Sequence, residues 1–165
     1  MTPNQRLVNE SLAYAEKLYG KPPAPATFDV QEVRDALHAD WDALKNHVTI
    51  RIPTNMSDAD RKGQLAHESF HIFSPVTLAE ATYLDEGLAT LLAVEHRQYS
   101  PFPDQTKYYE ALELVRRLIA TCPDSVRNLL SARKRIALVS EQDISAVCKD
   151  FPASEAKLLV RKFYH

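Results

Sequence analysis

Leu7, Leu12, Ala15 and Leu18, joined by Tyr14 and Tyr19, place apolar residues along one face of a 3.6-residue repeat. Pro3 to Tyr19 is therefore predicted to be a helix, and Gly20-Lys21-Pro22-Pro23-Ala24-Pro25 ends it as a connector. Val33, Leu37, Trp41 and Leu44 repeat at helical spacing, which predicts a second helix over 30–44 with Trp41 as a core anchor. The pattern then changes. Val48, Ile50 and Ile52 alternate with His47, Thr49 and Arg51, the period of a strand, and Pro53 closes it. A strand that runs into proline suits the edge of a sheet. Helical spacing resumes at Ser57, a favourable N-cap, with Asp58 and Asp60 at the positive end of the helix dipole. That helix stops at Pro75. Further helices are predicted over 77–97, 105–121, 125–134, 141–149 and 153–163, with a turn at Ser100-Pro101-Phe102-Pro103-Asp104 and a break at Cys122-Pro123-Asp124. The fold class expected is α+β, mostly α, with one small sheet and a helical C-terminal half.

The helix after Ser57 carries His67-Glu68-Ser69-Phe70-His71, an H-E-x-x-H sequence. Residues i and i+4 lie one above the other on a helix, so His67 and His71 can turn two imidazoles towards one metal ion. Glu68 stands beside them, where a carboxylate can act on a water as general base. A catalytic zinc usually takes three protein ligands and keeps one open position. The extended pattern with a third histidine needs Gly at 74 and His at 77; Ser74 and Thr77 exclude it. A glutamate on a second helix is the other common solution, and Glu86, fourteen residues beyond His71, fits. Glu80 and Asp85 compete. Glu80 lies close behind the Pro75 break, and Asp85 is expected to face away when Glu86 faces in, because helix neighbours differ by about 100 degrees. Gly87 and Ala89 are small and are expected to let this helix pass close to the His67 helix.

The pair of motifs, His67-Glu68-Ser69-Phe70-His71 and Tyr83-Leu84-Asp85-Glu86-Gly87-Leu88-Ala89, resembles the gluzincin class of zinc metallopeptidases, over residues 47–120. The second helix of that class reads like W-L-x-E-G-L-A, with Tyr83 here at the aromatic position. The resemblance implies a compact zincin-like fold and a zinc ion, one per chain, held by His67, His71 and Glu86. It also implies hydrolysis of peptide or protein substrates with Glu68 as the general base. It makes Tyr108 the second donor to the carbonyl oxygen, with Tyr109, Tyr99 and His96 as alternatives. The strand at His47–Pro53 would pair with extended substrate. Thermolysin-like members place Asp four residues after the ligand glutamate; here Thr90 stands there, so the partner that orients the first histidine is not identified. The interval from His71 to Glu86 is also shorter than in the large members.

Bulk properties narrow the classes without choosing among them. At 165 residues with 45% hydrophobic content, the chain is long enough for one real core. Residues 1–100 are expected to form the metal-binding lobe and 101–165 a helical lobe, together one domain. A formal charge of −2 gives no basic excess for nucleic acid. No apolar run reaches transmembrane length and none resembles a signal peptide, so a cytoplasmic protein without membrane contact is expected. Cys122 and Cys148 form no C-x-x-C pair and are expected to be reduced thiols. Arg51 is expected to be a solvated strand arginine. Oligomeric state has no signature. Two readings stand beside the peptidase: a zinc-binding module of the same fold without activity, and a metal-free helical interaction protein.

Overall fold

The alternating segment does form a strand, but it lies at the centre of its sheet and not at the edge. The computed structural model describes residues 1–22, 24–35, 37–99, 106–133 and 135–164. Strands β1 (Thr27–Val33), β2 (His38–Asp42) and β3 (His47–Pro53) form a sheet in the order β1-β3-β2. β3 runs parallel to β1 and antiparallel to β2, with Val48 opposite Phe28 on one side and Trp41 on the other. Pro53 takes the last rung, opposite Val33, where a missing N–H interrupts nothing.

The helix expected over 30–44 is absent. Its apolar residues also satisfy a period of two: Phe28 and Val30 on β1, and Ala39 and Trp41 on β2, turn to the face that packs against Val48, Ile50 and Ile52. A lone β3 would leave its backbone groups unpaired, and the sheet satisfies them. Leu44, counted towards the helical face, is fully exposed in the turn that joins β2 to β3. Asp42 accepts the backbone N–H groups of Leu44 and Lys45 in that turn, and Asn46 takes a left-handed φ of 47°. Trp41 is half-buried, with the Arg135 guanidinium 4.3 Å from its ring centroid. On the outer sheet face Arg51 pairs with Asp40 and meets His38, so it is an ion-paired strand residue.

Seven helices account for most of the other described residues. They are α1 (Pro3–Tyr19), α2 (Asp58–Phe73), α3 (Tyr83–Arg97), α4 (Thr106–Thr121), α5 (Ser125–Arg133), α6 (Glu141–Val147) and α7 (Ala153–Leu159). α2 begins where the Ser57 hydroxyl accepts the Asp60 N–H, and it ends before Pro75. α3 begins six residues later than expected. Thr77 to Glu80 form a turn, and Thr82 with Asp85 forms a reciprocal capping box that sets the helix start. The turn expected at 100–104, the expected start of α4 at Gln105 and the expected lobe boundary at 100 lie outside the described residues.

α2 lies between two apolar clusters. Leu65 and Ile72 face the sheet with Val8 of α1, while Phe70 and Phe73 face the helices. The helical cluster joins Ala15, Phe70, Leu88, Val115, Leu129, Ile144 and Phe163, so the N-terminal and C-terminal halves share one core. Gly87 serves a different contact from the one expected. A Cβ there would lie 2.5 Å from the Ala111 carbonyl oxygen and 2.6 Å from Val115, so Gly87 permits α3 to approach α4, not α2. Cys122 and Cys148 are joined as a disulfide, against the expectation of free thiols. Their helices converge because α4 and α6 bury Leu118 and Ile144 in the same cluster, which brings two cysteines distant in sequence together.

Two measurements check this packing. Gly87→Ala should destabilise the fold by about 1–3 kcal/mol, because the clash falls on backbone that cannot turn aside; an unchanged denaturation midpoint would contradict the α3–α4 contact. Reduction of the disulfide should cost roughly 3–4 kcal/mol by the loop-entropy argument for a separation of 26 residues, read as a shift of the urea midpoint with dithiothreitol.

Candidate metal centre

Two consecutive turns of α2 set the His67 and His71 rings edge to face with centroids 5.4 Å apart. α3 crosses beneath them and brings Glu86, 2% exposed, against both. His67 Nε2 lies 3.2 Å from one carboxylate oxygen of Glu86, and His71 Nε2 lies 3.6 Å from the other. One ligand atom from each of the three residues lies within 4.8 Å of the others. The three residues expected as ligands are thus brought together, and this buried group could hold a metal ion.

The charges of the group are coupled. Burial disfavours an ionised Glu86, but the positive charge of His71 and the hydrogen bond with His67 outweigh it and hold its carboxyl below the usual range. Burial likewise opposes protonation of His67; the Glu86 hydrogen bond and the charge of Glu68 raise its pKa in spite of that. Glu68 is 7% exposed and lines the same cleft as the three candidate ligands.

Two buried polar atoms test whether a metal fits. His71 Nδ1 and Asp85 Oδ1 are each buried without a hydrogen-bond partner. Burial pushes the Asp85 carboxyl up to about 6, against hydrogen bonds from Thr82 and the attraction of His71. Asp85 stays outside the group, as helix geometry suggested, and its carboxylate accepts from the Thr82 N–H and hydroxyl; it is buried all the same, because the first turns of α3 are enclosed on all sides. A cation on His71 Nε2 would fix its proton on Nδ1, which has no acceptor in this structure, and the Asp85 charge attracts that ring. The donor set, two imidazoles and a carboxylate, suits zinc and other borderline divalent ions. The competing candidate Glu80 is engaged elsewhere, with Arg135 and with the Thr77 N–H and hydroxyl.

The centre opens on a cleft of about 550 Å³. One wall is β2, the outer strand next to β3, through Leu37, His38, Ala39 and Asp40; the floor is α2 and α3. Val76, Leu78 and Ala81 make an apolar side, and Tyr99, Tyr108 and Tyr164 close the other. Tyr108 is where the sequence suggested: its ring lies 5.7 Å from that of His67, and burial pushes its phenol up to about 12. Of the alternatives, Tyr99 lines the cleft and accepts a hydrogen bond from Gln64. His96 stacks on Tyr14, and neither it nor Tyr109 lines the cleft. One residue at the site carries no sequence signal. Tyr164 lies beyond the last helix, yet its hydroxyl donates to Glu86 Oε1 at 3.2 Å.

Comparison with known protein families, with curated proteins and with solved structures finds no match in any of the three. Fold and site together define a helix-rich α+β protein with a buried group of two histidines and a glutamate able to hold a metal ion. No described helix is long and apolar enough to cross a membrane.

Elemental analysis after remetallation should find about one divalent ion per chain and clear loss in Glu86→Ala. Asp85→Ala should weaken metal affinity about 10–100-fold, the usual effect of removing the partner of a ligating histidine. Equal affinity in Asp85→Ala and the wild type would show that Asp85 does not orient His71.

Proposed function

We propose that this protein is a zinc-dependent peptidase of the compact gluzincin kind, acting on peptide or protein substrates. The observation that carries the reading is the convergence of His67, His71 and Glu86 at the base of a cleft that Glu68 also lines. The zincin-like fold expected from the motifs is part of the proposal: sheet, H-E-x-x-H helix and glutamate helix follow in that chain order.

His67, His71 and Glu86 would hold zinc, which supplies an acidified water and a polarised carbonyl. With a cation on His71 Nε2, Asp85, whose charge already attracts that ring, would accept the Nδ1 proton. Glu68 takes a proton from the attacking water and returns it to the departing amine. A donor to the carbonyl oxygen comes from the tyrosines that line the cleft. An extended peptide lies along β2, whose outer edge is unpaired among the described residues, rather than along β3 as the sequence suggested. Val76, Leu78 and Ala81 favour an apolar substrate side chain beside the scissile bond.

A zinc-binding module without activity is the second reading, favoured by Thr90. Its hydroxyl donates back to the Glu86 carbonyl within α3 and gives no partner to His67. The Cys122–Cys148 disulfide weighs against the cytoplasmic location expected from the sequence, because cytosolic reductants keep such pairs as thiols.

Glu68→Gln should keep one zinc per chain and lose hydrolysis of a mixed quenched-fluorescent peptide library by at least about 100-fold. Chelator-sensitive cleavage by the wild type excludes the inactive module. Retained cleavage in Glu68→Gln removes that residue from the role of base.

A further inference from the structure

Segment 161–164 passes directly beside the metal centre, and it is firmly held there. Lys162 forms a bridge with Thr82, the cap of α3. The Tyr83 N–H donates to the Arg161 carbonyl at 3.1 Å, and the Phe163 N–H donates to the Ala81 carbonyl at 2.9 Å. The Phe163 ring is buried between Tyr83 and Tyr108, with centroids 5.0 and 4.8 Å away. These contacts fix the segment to the same turn that starts the glutamate helix, since the Glu86 N–H donates to the Thr82 carbonyl.

Tyr164 then stands in an orientation that packing does not require. The residue is 44% exposed, yet its hydroxyl turns inward to the buried Glu86 carboxylate. A residue held for apolar contact alone would do as well without the hydroxyl. The Tyr164 hydroxyl also lies 3.1 Å from that of Tyr108. A phenol has one proton. Tyr164 gives its own to Glu86, so Tyr108 is the donor between the two. Such a chain polarises the second O–H and strengthens what it can donate.

We propose that Tyr164 binds the carbonyl oxygen of the scissile amide and that Tyr108 is the residue that positions it. The assignment rests on the peptidase reading given above. With Glu86 holding a cation, the Tyr164 proton would be released from that acceptor and free to donate within the cleft, which Tyr164 and Glu68 both line. As the water oxygen bonds to the carbonyl carbon, the π pair moves onto the carbonyl oxygen, and the water proton passes to Glu68. The Tyr164 O–H donates to the oxygen and keeps its proton throughout. On collapse the pair returns to form C=O, the C–N bond breaks, and the nitrogen takes the proton from Glu68. A donor that meets charge only as it develops lowers the barrier more than it aids substrate binding.

The test uses the full-length zinc-loaded protein and Tyr164→Phe, with Tyr108→Phe alongside. Three quantities are read: kcat and KM on a quenched-fluorescent peptide, the affinity of N-phosphoryl-leucine amide by calorimetry, and zinc affinity by competition with a chromophoric chelator. Tyr164→Phe should lower kcat about 10²–10³-fold with KM little changed, and weaken the tetrahedral phosphoryl probe in parallel. Tyr108→Phe should lose roughly tenfold in both. Zinc affinity should stay within about twofold in each variant, as expected of a group that does not bind the ion. Unchanged kcat and probe affinity in Tyr164→Phe overturn the assignment while leaving the peptidase reading intact. A loss of zinc affinity matching the loss of kcat would make Tyr164 a ligand instead, and also overturns it. A wild type that binds no zinc and cleaves nothing removes both readings together.

Discussion

A carboxylate held out of water between two imidazoles is the constraint on which this structure turns. Glu86 is almost wholly buried, and its partners come from a different helix. Isolated burial of an ionised carboxylate costs several kcal/mol, so α2 and α3 must be held in one register for the pair of histidines to offset that cost. Three local devices set the register. Ser57 starts α2, and Thr82 with Asp85 starts α3, each fixing where along the helix a given side chain emerges. Gly87 lets α4 press on the far side of α3, which pushes Glu86 towards the histidines. The apolar clusters on both sides of α2 then leave it no room to rotate.

The metal group was legible because it is local. His67 and His71 sit on one helix at a fixed spacing, and Glu86 follows within a short reversal, so helix geometry nearly determines the outcome. The same holds for α1 and for the start of α2, where caps and periodicity agree. Where the sequence misleads, long-range contacts decide. Val33, Leu37, Trp41 and Leu44 match a helix, but Ala39 and Trp41 also match a strand, and only the presence of β3 between β1 and β2 resolves the choice. Gly87 signalled close approach but not to which helix. Cys122 and Cys148 had no local pattern, since their meeting depends on how α4 and α6 pack. Tyr164 had none either, because its position follows from the bridge of Lys162 to Thr82, 80 residues earlier than Lys162.

These errors share a direction. Each assigned to a single element a role that two elements perform together. Asp85 shows the same coupling of elements. As a neighbour of Glu86 on the helix, it stays outside the group, as expected. Yet α3 is enclosed from Tyr83 to Ala93, so no side of its first turns faces water. A buried acid there needs a reason beyond the cap it forms, because Thr82 satisfies one oxygen and leaves the other without a donor. His71 Nδ1, also buried without a partner, attracts the Asp85 charge, while Thr90, which donates to the Glu86 carbonyl, gives His67 no acceptor.

The C-terminal half bears on whether the proposed peptidase has a complete cleft. A metal-binding lobe by itself argues at first for a binding module. The wall opposite β2, however, is not missing. Tyr108 on α4 and Tyr164 after α7 line it; Tyr108 packs against the apolar cluster that also carries α3, and Phe163, the neighbour of Tyr164, belongs to that cluster. In a larger enzyme that wall could move as a separate body. Here it shares a core with the metal helices, and the disulfide ties α4 to α6 behind it. The cleft is therefore set at a nearly fixed width. On the proposed peptidase reading, substrate would enter as an extended strand along β2 without domain closure, and such a cleft would favour flexible peptides over folded proteins, since a rigid cleft cannot open to admit a turn or a helix.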